Sequence, residues 1–258
     1  MQVCLAGQAV LGPGLADWPA ARAVLQGRAT YVPGPAPDPS PTLLPAVERR
    51  RASASVRWAL AVAQQALDGR EADAVATVFA SCGGDGTITH QICEALATPQ
   101  GVVSPTRFHN SVHNAPAGYW SIAARSQAAS TSLSGFDGSF AIGLLEAAAQ
   151  AAVEQRSVLL VAYDLPYPDP MHALWPVAQP FAAALLLDPP GAGPTAFRLT
   201  LERGVAGGAA WPAAIPAEFR SNPAAQALPL LAACLRAGPT GLQLPYDAVS
   251  HLAIEVPQ

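Results

Sequence analysis

Short apolar runs and one alternating segment predict the strands of this chain. In residues 197–202 apolar and polar side chains alternate, which is typical of a strand with one exposed face and indicates an antiparallel or edge position. The run 74–80 is almost continuously apolar and is followed by Gly83 and Gly84, as expected for a strand buried on both faces. Further strands are predicted at residues 3–11, 157–163, 181–187 and 252–256.

Helices are predicted between these strands. From about residue 53 onward, Val56, Leu60 and Leu67 fall on one face of a helix that Gly69 ends. Other helices are predicted at residues 87–97, 140–154 and 224–236.

The order of these elements predicts the fold class. Strands that alternate with helices indicate a layered α/β domain, and the alternating strand makes its sheet mixed. Prolines spread over residues 33–45 favour an extended connection. The small, hydroxyl-rich segment 130–137 is predicted as a turn that leads into the 140–154 helix.

Composition narrows the function classes. Of 258 residues, 51% are hydrophobic and 12% are charged, which excludes a disordered or fibrous chain. The net charge is −4, the 14 basic residues are all arginine, and the one cluster is Arg49, Arg50 and Arg51. A nucleic-acid-binding protein would need a broad basic face, so no nucleic-acid partner is expected.

Cysteine usage and hydropathy suggest a compartment. None of the four cysteines stands in a C-x-x-C spacing, so neither a zinc site nor a disulfide framework is expected. The N-terminal apolar run lacks a basic region and a cleavage site, and the other apolar runs are shorter than a membrane span. We therefore expect a cytoplasmic protein with reduced thiols and no membrane span.

Four motifs in succession carry a family resemblance. They are the strand and glycine turn Val75–Gly84, the pair Ser104-Pro105, the segment Asn110–Gly118 and the small-residue turn Ser130–Gly138. Together, over about residues 1–205, they resemble the N-terminal half of a β-ketoacyl synthase. The chain is most similar to the short, chain-length-factor-like members found with aryl polyene and type II polyketide pathways.

The resemblance implies a fold and a set of partners. It implies a truncated thiolase-like fold, with helices on both faces of a mixed sheet, that forms a single domain over residues 1–258 with 205–258 as a divergent extension. It further implies a dimer with a ketosynthase or with a second copy. An acyl carrier protein would bring its own phosphopantetheine, so the chain itself needs no cofactor.

The resemblance also locates a missing nucleophile. Condensing enzymes carry a reactive cysteine on the sharp turn before a helix, where the helix N-terminus lowers the pKa of the thiol. Matching that turn to residues 132–138 places Gly135 at the cysteine position. The family's two catalytic histidine motifs are missing after Asp164, where only His172 and His251 remain. Condensation by this chain alone is therefore not expected.

Two other side chains keep an enzyme hypothesis open. Ser134 lies one residue from the expected turn position, and Cys82 follows the 74–80 strand. Either one, activated by His113, would make the chain an acyl-thioester hydrolase or acyltransferase. Ser134 lacks the G-x-S-x-G context of a conventional hydrolase, and Cys82 is the kind of lone cysteine that usually serves as a packed apolar residue.

The remaining polar motifs predict contacts rather than chemistry. His109 and His113 are four residues apart, which on a helix would place both on one face, but the glutamate of a zinc-protease motif is missing and no metal is expected. Arg49, Arg50 and Arg51 are candidates for docking an acidic carrier protein. The predicted partner interface or acyl lining comprises His109, Asn110, His113, Asn114, Tyr119 and Trp120.

Overall fold

A computed structural model describes residues 1–193, 195–207 and 211–257. The strands are β1 (Gln2–Leu11), β2 (Ala76–Ala80), β3 (Ser130–Leu133), β4 (Val158–Asp164), β5 (Phe181–Asp188), β6 (Ala196–Arg203), β7 (Thr240–Pro245) and β8 (Ser250–Val256). The helices are α1 (Trp18–Leu25), α2 (Ala46–Arg51), α3 (Ala54–Leu67), α4 (Gly86–Leu96), α5 (Pro105–Asn110), α6 (Ala115–Ala124), α7 (Ser139–Glu154), α8 (Met171–Leu174) and α9 (Ala227–Cys234). Short 3-10 turns lie at Phe136–Gly138, Ala217–Ser221 and Pro223–Gln226.

All of these strands belong to one eight-stranded sheet. Its order is β3-β2-β4-β5-β1-β6-β8-β7. Strand β2 runs parallel to β3 and to β4, whereas the other pairings are antiparallel, so the predicted mixed sheet is confirmed. Because the carboxyl ends of parallel strands lie at one edge of the sheet, the residues after β2, β3 and β4 meet there.

Helices cover both faces of the sheet, as predicted. On one face α7, with Phe140 and Leu144 fully buried, packs in a core with α9 and the C-terminal strands. On the other face α3 and α6 pack against the opposite sides of the same strands, where Trp58, Tyr119 and Trp120 are buried. The α3 helix begins at its N-cap Ser53, whose hydroxyl accepts the Val56 amide hydrogen, so its predicted start is correct.

One local prediction was wrong, and one conditional arrangement is not realised. Residues 130–133 form β3 rather than part of a turn, because their backbone pairs with β2 from Thr77 to Ala80. His109 and His113 do not share a helix, because α5 ends at Asn110 and His113 lies in the connection to α6.

The arginine cluster lies just ahead of α3 in the chain. Residues 49–51 form the last turn of a separate helix, α2, where cations are favourable against the helix dipole. The segment 205–258 supplies α9 and the β7–β8 hairpin, which extends the same sheet through β6. Its description as a divergent extension stays a prediction, and residues 208–210 and 258 of it lie outside the described residues.

Candidate functional site

The candidate site lies at the carboxyl ends of β2, β3 and β4. Ser81 and Cys82 follow β2, Ser134 follows β3, and Asp164 ends β4. Parallel pairing of Ala80 with both Leu133 and Ala162 aligns these ends. The candidate nucleophiles predicted from the sequence therefore do converge on one place.

A buried carboxylate organises the site. The side chain of Asp164 is 1% exposed, and its Oδ1 accepts hydrogen bonds from the Ser81 hydroxyl (2.9 Å) and the Cys82 amide (2.7 Å). Within the described part of the chain, its Oδ2 is buried and forms no hydrogen bond of good geometry. Burial raises the pKa of Asp164 to about 7, although these hydrogen bonds act in the opposite direction.

The Cys82 thiol is held in its protonated form. Burial and the nearby Asp164 carboxylate raise the pKa of Cys82 to about 11. The Tyr167 side chain forms a hydrogen bond with the thiol. The Tyr167 ring also packs against Gly86, the first residue of α4, where an added Cβ would lie 2.2 Å from the Tyr167 Cδ1. A nucleophilic cysteine needs the thiolate, so this environment opposes a catalytic role for Cys82.

Ser134 and His113 bind the same turn without activating each other. The Ser134 hydroxyl donates to the Cys82 carbonyl at 2.6 Å. His113 Nε2 lies 3.1 Å from the Ser81 carbonyl oxygen. Each side chain thus contacts a backbone carbonyl of the two residues that follow β2. The Ser134 hydroxyl donates its proton to a carbonyl and not to an imidazole.

Residues 135 and 136, in the sharp turn before α7, have no nucleophilic side chain. Gly135 has a φ of −150°, and Phe136 adopts the left-handed φ of 50° that bulky side chains rarely take. Ser139 locks the turn, because its hydroxyl accepts the Gly135 amide hydrogen and donates to the Phe136 carbonyl. The assignment of Gly135 as the degenerate cysteine position stays a prediction, but neither residue 135 nor 136 bears a nucleophilic atom.

Aromatic rings surround this turn. Phe136 is 64% exposed and stacks on Trp175 with centroids 6.4 Å apart and planes at 18°. Trp175 in turn contacts Tyr167 at 6.3 Å. Sequence reasoning missed Asp164, Tyr167 and this stack. The sequence did contain one signal for Asp164, a carboxylate at the end of an otherwise apolar strand. It contained none for the ring stack, because the rings come from segments that are distant in sequence.

The strain at Phe136 gives a testable difference between two substitutions. Phe136→Gly and Phe136→Ala both remove the stacked ring, but only glycine adopts a positive φ without cost. We expect the glycine variant to be more stable than the alanine variant by about 1 kcal/mol. Urea unfolding of the two purified variants measures this, and equal unfolding free energies would show that position 136 is unstrained.

The predicted interface residues divide into exposed and buried ones. His109 and Asn114 are exposed. Asn110, Tyr119 and Trp120 are at most 3% exposed. Asn110 donates to the Arg51 carbonyl at 2.8 Å, and Tyr119 and Trp120 pack in the core with α3. The buried residues pack beneath the surface and are not accessible to a partner on this chain's surface. The prediction that these six residues form a partner interface or acyl lining stays a prediction, and His109, His113 and Asn114 are the ones with exposed surface.

The described residues offer neither a metal centre nor a membrane-spanning helix. Over residues 1–193, 195–207 and 211–257, no group of three His, Cys, Asp or Glu side chains is arranged to hold a metal ion. In the same ranges, no helix combines the length and apolarity needed to cross a bilayer.

Comparisons with known proteins bear on the family and the fold of this chain. A family model described as beta-ketoacyl synthase, N-terminal domain, matches residues 23–247. A search of curated proteins gave no match. The ketosynthase ApeO in complex with its chain length factor ApeC, from Xenorhabdus doucetiae, is similar with a TM-score of 0.74 and 26% identity, covering 98% of this chain and 99% of that chain.

Two further structures share the fold at lower identity. The ishigamide ketosynthase/chain length factor has a TM-score of 0.73 and 14% identity, covering 100% of this chain and 99% of that chain. A complex of a type II polyketide acyl carrier protein with its ketosynthase bound to the hexaketide has a TM-score of 0.74 and 12% identity, covering 99% of each chain. The fold is thus the thiolase-like fold of ketosynthases. Because the family model spans most of the sequence, this chain belongs to the family of beta-ketoacyl synthase N-terminal domains.

Proposed function

We propose that this chain is a catalytically degenerate β-ketoacyl synthase-like subunit. It pairs with an active ketosynthase and shapes the acyl chain length in a type II polyketide or fatty-acid pathway of the aryl polyene kind. The observation that carries the proposal is the turn before α7, where neither Gly135 nor Phe136 has a nucleophilic side chain. The protonated Cys82 thiol and the carbonyl-bound Ser134 hydroxyl support it.

The free edge of β3 is the surface that fits a folded partner. Strand β3 ends the sheet, so the edge away from β2 has unpaired backbone groups that can pair with another strand. The carbonyls of Ala129 and Leu133 accept hydrogen bonds from β2 and from Ser81 just after it. By strand alternation, the backbone groups of Ser130 and Ser132 face outward.

Apolar surface beside this edge supports the same assignment. A groove of about 580 Å³ runs from Leu133 along Ile142 and Leu145 of α7 to Leu201 of β6. Val153, at the end of α7, is 81% exposed. Exposed apolar surface next to an open sheet edge is typical of a surface that binds another protein.

The acyl group would come from a carrier protein. One of the similar structures is an acyl carrier protein in complex with its ketosynthase. In our proposal such a carrier supplies the phosphopantetheine arm in the cytoplasm. The subunit contributes wall residues and rigidity, and it forms no covalent bond to the acyl chain.

Strand pairing can be tested by one backbone substitution. Ser132→Pro removes an outward N–H while leaving the β2 hydrogen bonds intact, and proline is tolerated at sheet edges. We expect at least a 30-fold loss of affinity for the co-expressed ketosynthase, measured by titration calorimetry. Ser132→Ala keeps the N–H and is the matched control. Equal affinity of both variants would exclude pairing through β3.

The degenerate assignment has a separate test. Incubation with an acyl-pantetheine thioester, followed by intact mass measurement, should show an acyl adduct on the ketosynthase and none on this chain. The ketosynthase should also give a different product length when this chain is omitted. An adduct on this chain that Ser134→Ala abolishes would instead establish the acyltransferase or hydrolase hypothesis.

A further inference from the structure

A cavity beside α2 and α3 is lined by three arginines. Arg49 and Arg50 reach it from α2, and Arg57 reaches it from the first turns of α3. Asp38 and Ser40 close the other side, and the volume is about 310 Å³. Three guanidinium groups and one carboxylate give the cavity a net positive charge, although the chain as a whole carries −4.

The contacts of these arginines leave hydrogen-bonding capacity for a ligand. Arg49 is oriented by the Leu44 carbonyl, which accepts from its Nε (3.3 Å) and Nη2 (3.0 Å). A backbone carbonyl orients this guanidinium without neutralising it. Arg50 is exposed. Arg57 forms an ion pair with Asp38 at 2.8 Å. Its Nε is buried and has no hydrogen-bond partner among the residues that the structure describes.

Asp38 is a weak competitor for Arg57. Its side chain is 84% exposed and belongs to the proline-rich connection that precedes α2. An exposed ion pair of this kind contributes little stability, so a phosphate that contacts several of these arginines at once can displace the carboxylate. Arg51, in contrast, lies outside the cavity lining and faces Glu48 at 3.8 Å.

The geometry points to a phosphate-binding site formed by Arg49, Arg50 and Arg57, with Asp38 occupying the place of the anion when no ligand is bound. Guanidinium groups bind phosphate oxygens in bidentate pairs, and here arginines from two helices line one cavity. The inference deepens the proposed function and rests on it in one respect: the phosphate is the phosphodiester of the carrier's phosphopantetheine arm. It replaces Arg51 of the predicted docking cluster by Arg57.

Binding of free phosphopantetheine tests the site directly. We expect the Arg57→Gln and Arg50→Gln variants each to lose at least tenfold in affinity for phosphopantetheine, measured by titration calorimetry at low salt. Arg51→Gln, which removes one positive charge from the same cluster outside the cavity, is the matched control and should stay within twofold. Asp38→Asn should bind more tightly than the wild type, because it removes the competing carboxylate.

Titration with holo and apo carrier protein tests whether the bound phosphate is that of the carrier's phosphopantetheine arm. The proposal predicts that the holo form loses affinity in the Arg50→Gln variant, whereas the apo form does not. If Arg50→Gln and Arg57→Gln bind phosphopantetheine like the wild type, the phosphate site is refuted, even where carrier docking persists. If phosphopantetheine binding needs both arginines but neither carrier form binds, the phosphate site stands and the carrier role in the proposed function fails.

Discussion

Replacing Asp164 with asparagine is expected to stabilise the protein by about 4 kcal/mol above pH 7, since burial raises the pKa of this carboxyl from 3.8 to about 7. In the folded state the Asp164 carboxyl retains its proton up to about pH 7, whereas in the unfolded chain it ionises near its ordinary pKa of 3.8. Stability is therefore complete below about pH 4, falls as the pH rises to about 7, and is constant above that. Asparagine keeps an acceptor for Ser81 and Cys82 but has no charge to bury.

The pH dependence distinguishes this effect from a change in packing. Unfolding free energies at pH 4 should agree within about 1 kcal/mol between the wild type and Asp164→Asn, and the curves should separate as the pH rises. Asp73→Asn, on an exposed loop, controls for the loss of one formal charge. A difference that is constant from pH 4 to pH 8 would show that Asp164 does not titrate in this range.

Replacing Gly138 with alanine is expected to destabilise the protein by about 3 kcal/mol, because a Cβ there would lie 2.0 Å from the Tyr246 carbonyl oxygen. The φ of Gly138 is −86°, so any residue could adopt its backbone conformation and the requirement is for space. The turn before α7 and the end of β7 must move apart to admit the methyl group. Chemical denaturation measures the loss.

Gly118 provides the matched control for this substitution. A Cβ at Gly118 would meet nothing within 4 Å, and the residue lies within α6. Alanine is the better helix former, so Gly118→Ala should stabilise by about 0.5–1 kcal/mol. Similar effects of the two substitutions would mean that the 136–138 turn yields easily and that β7 does not hold it in place.

The packing of the sheet explains which elements could be predicted. Buried strands such as β4 and β5 are nearly continuous apolar runs, so their burial can be predicted from residue type alone. Strand β3 is built from Ser130, Thr131, Ser132 and Leu133, and its strand conformation comes from pairing with β2. Helix α1 was also missed, although Asp17 caps it by accepting the Ala20 amide hydrogen.

In the candidate site, too, some features could be predicted from residue type and others depend on the tertiary structure. Ser134, Cys82 and His113 could be selected from residue type and neighbouring motifs, and they do lie together. The raised pKa of Cys82 could not be predicted, because it depends on burial and on Asp164, which lies on a strand distant in sequence. The hydrogen bonds of Ser134 and His113 likewise join segments that are distant in sequence.

By itself the sequence determined the α/β class, the buried strands and the family, because each depends on residue type at positions close in the chain. The tertiary structure alone decided that Phe136 occupies the strained turn, that Asp164 is buried without full hydrogen bonding, and that Arg57 rather than Arg51 completes the arginine cavity. Those properties arise from the distances between segments, and a linear pattern of residues does not specify which side chains share a cavity.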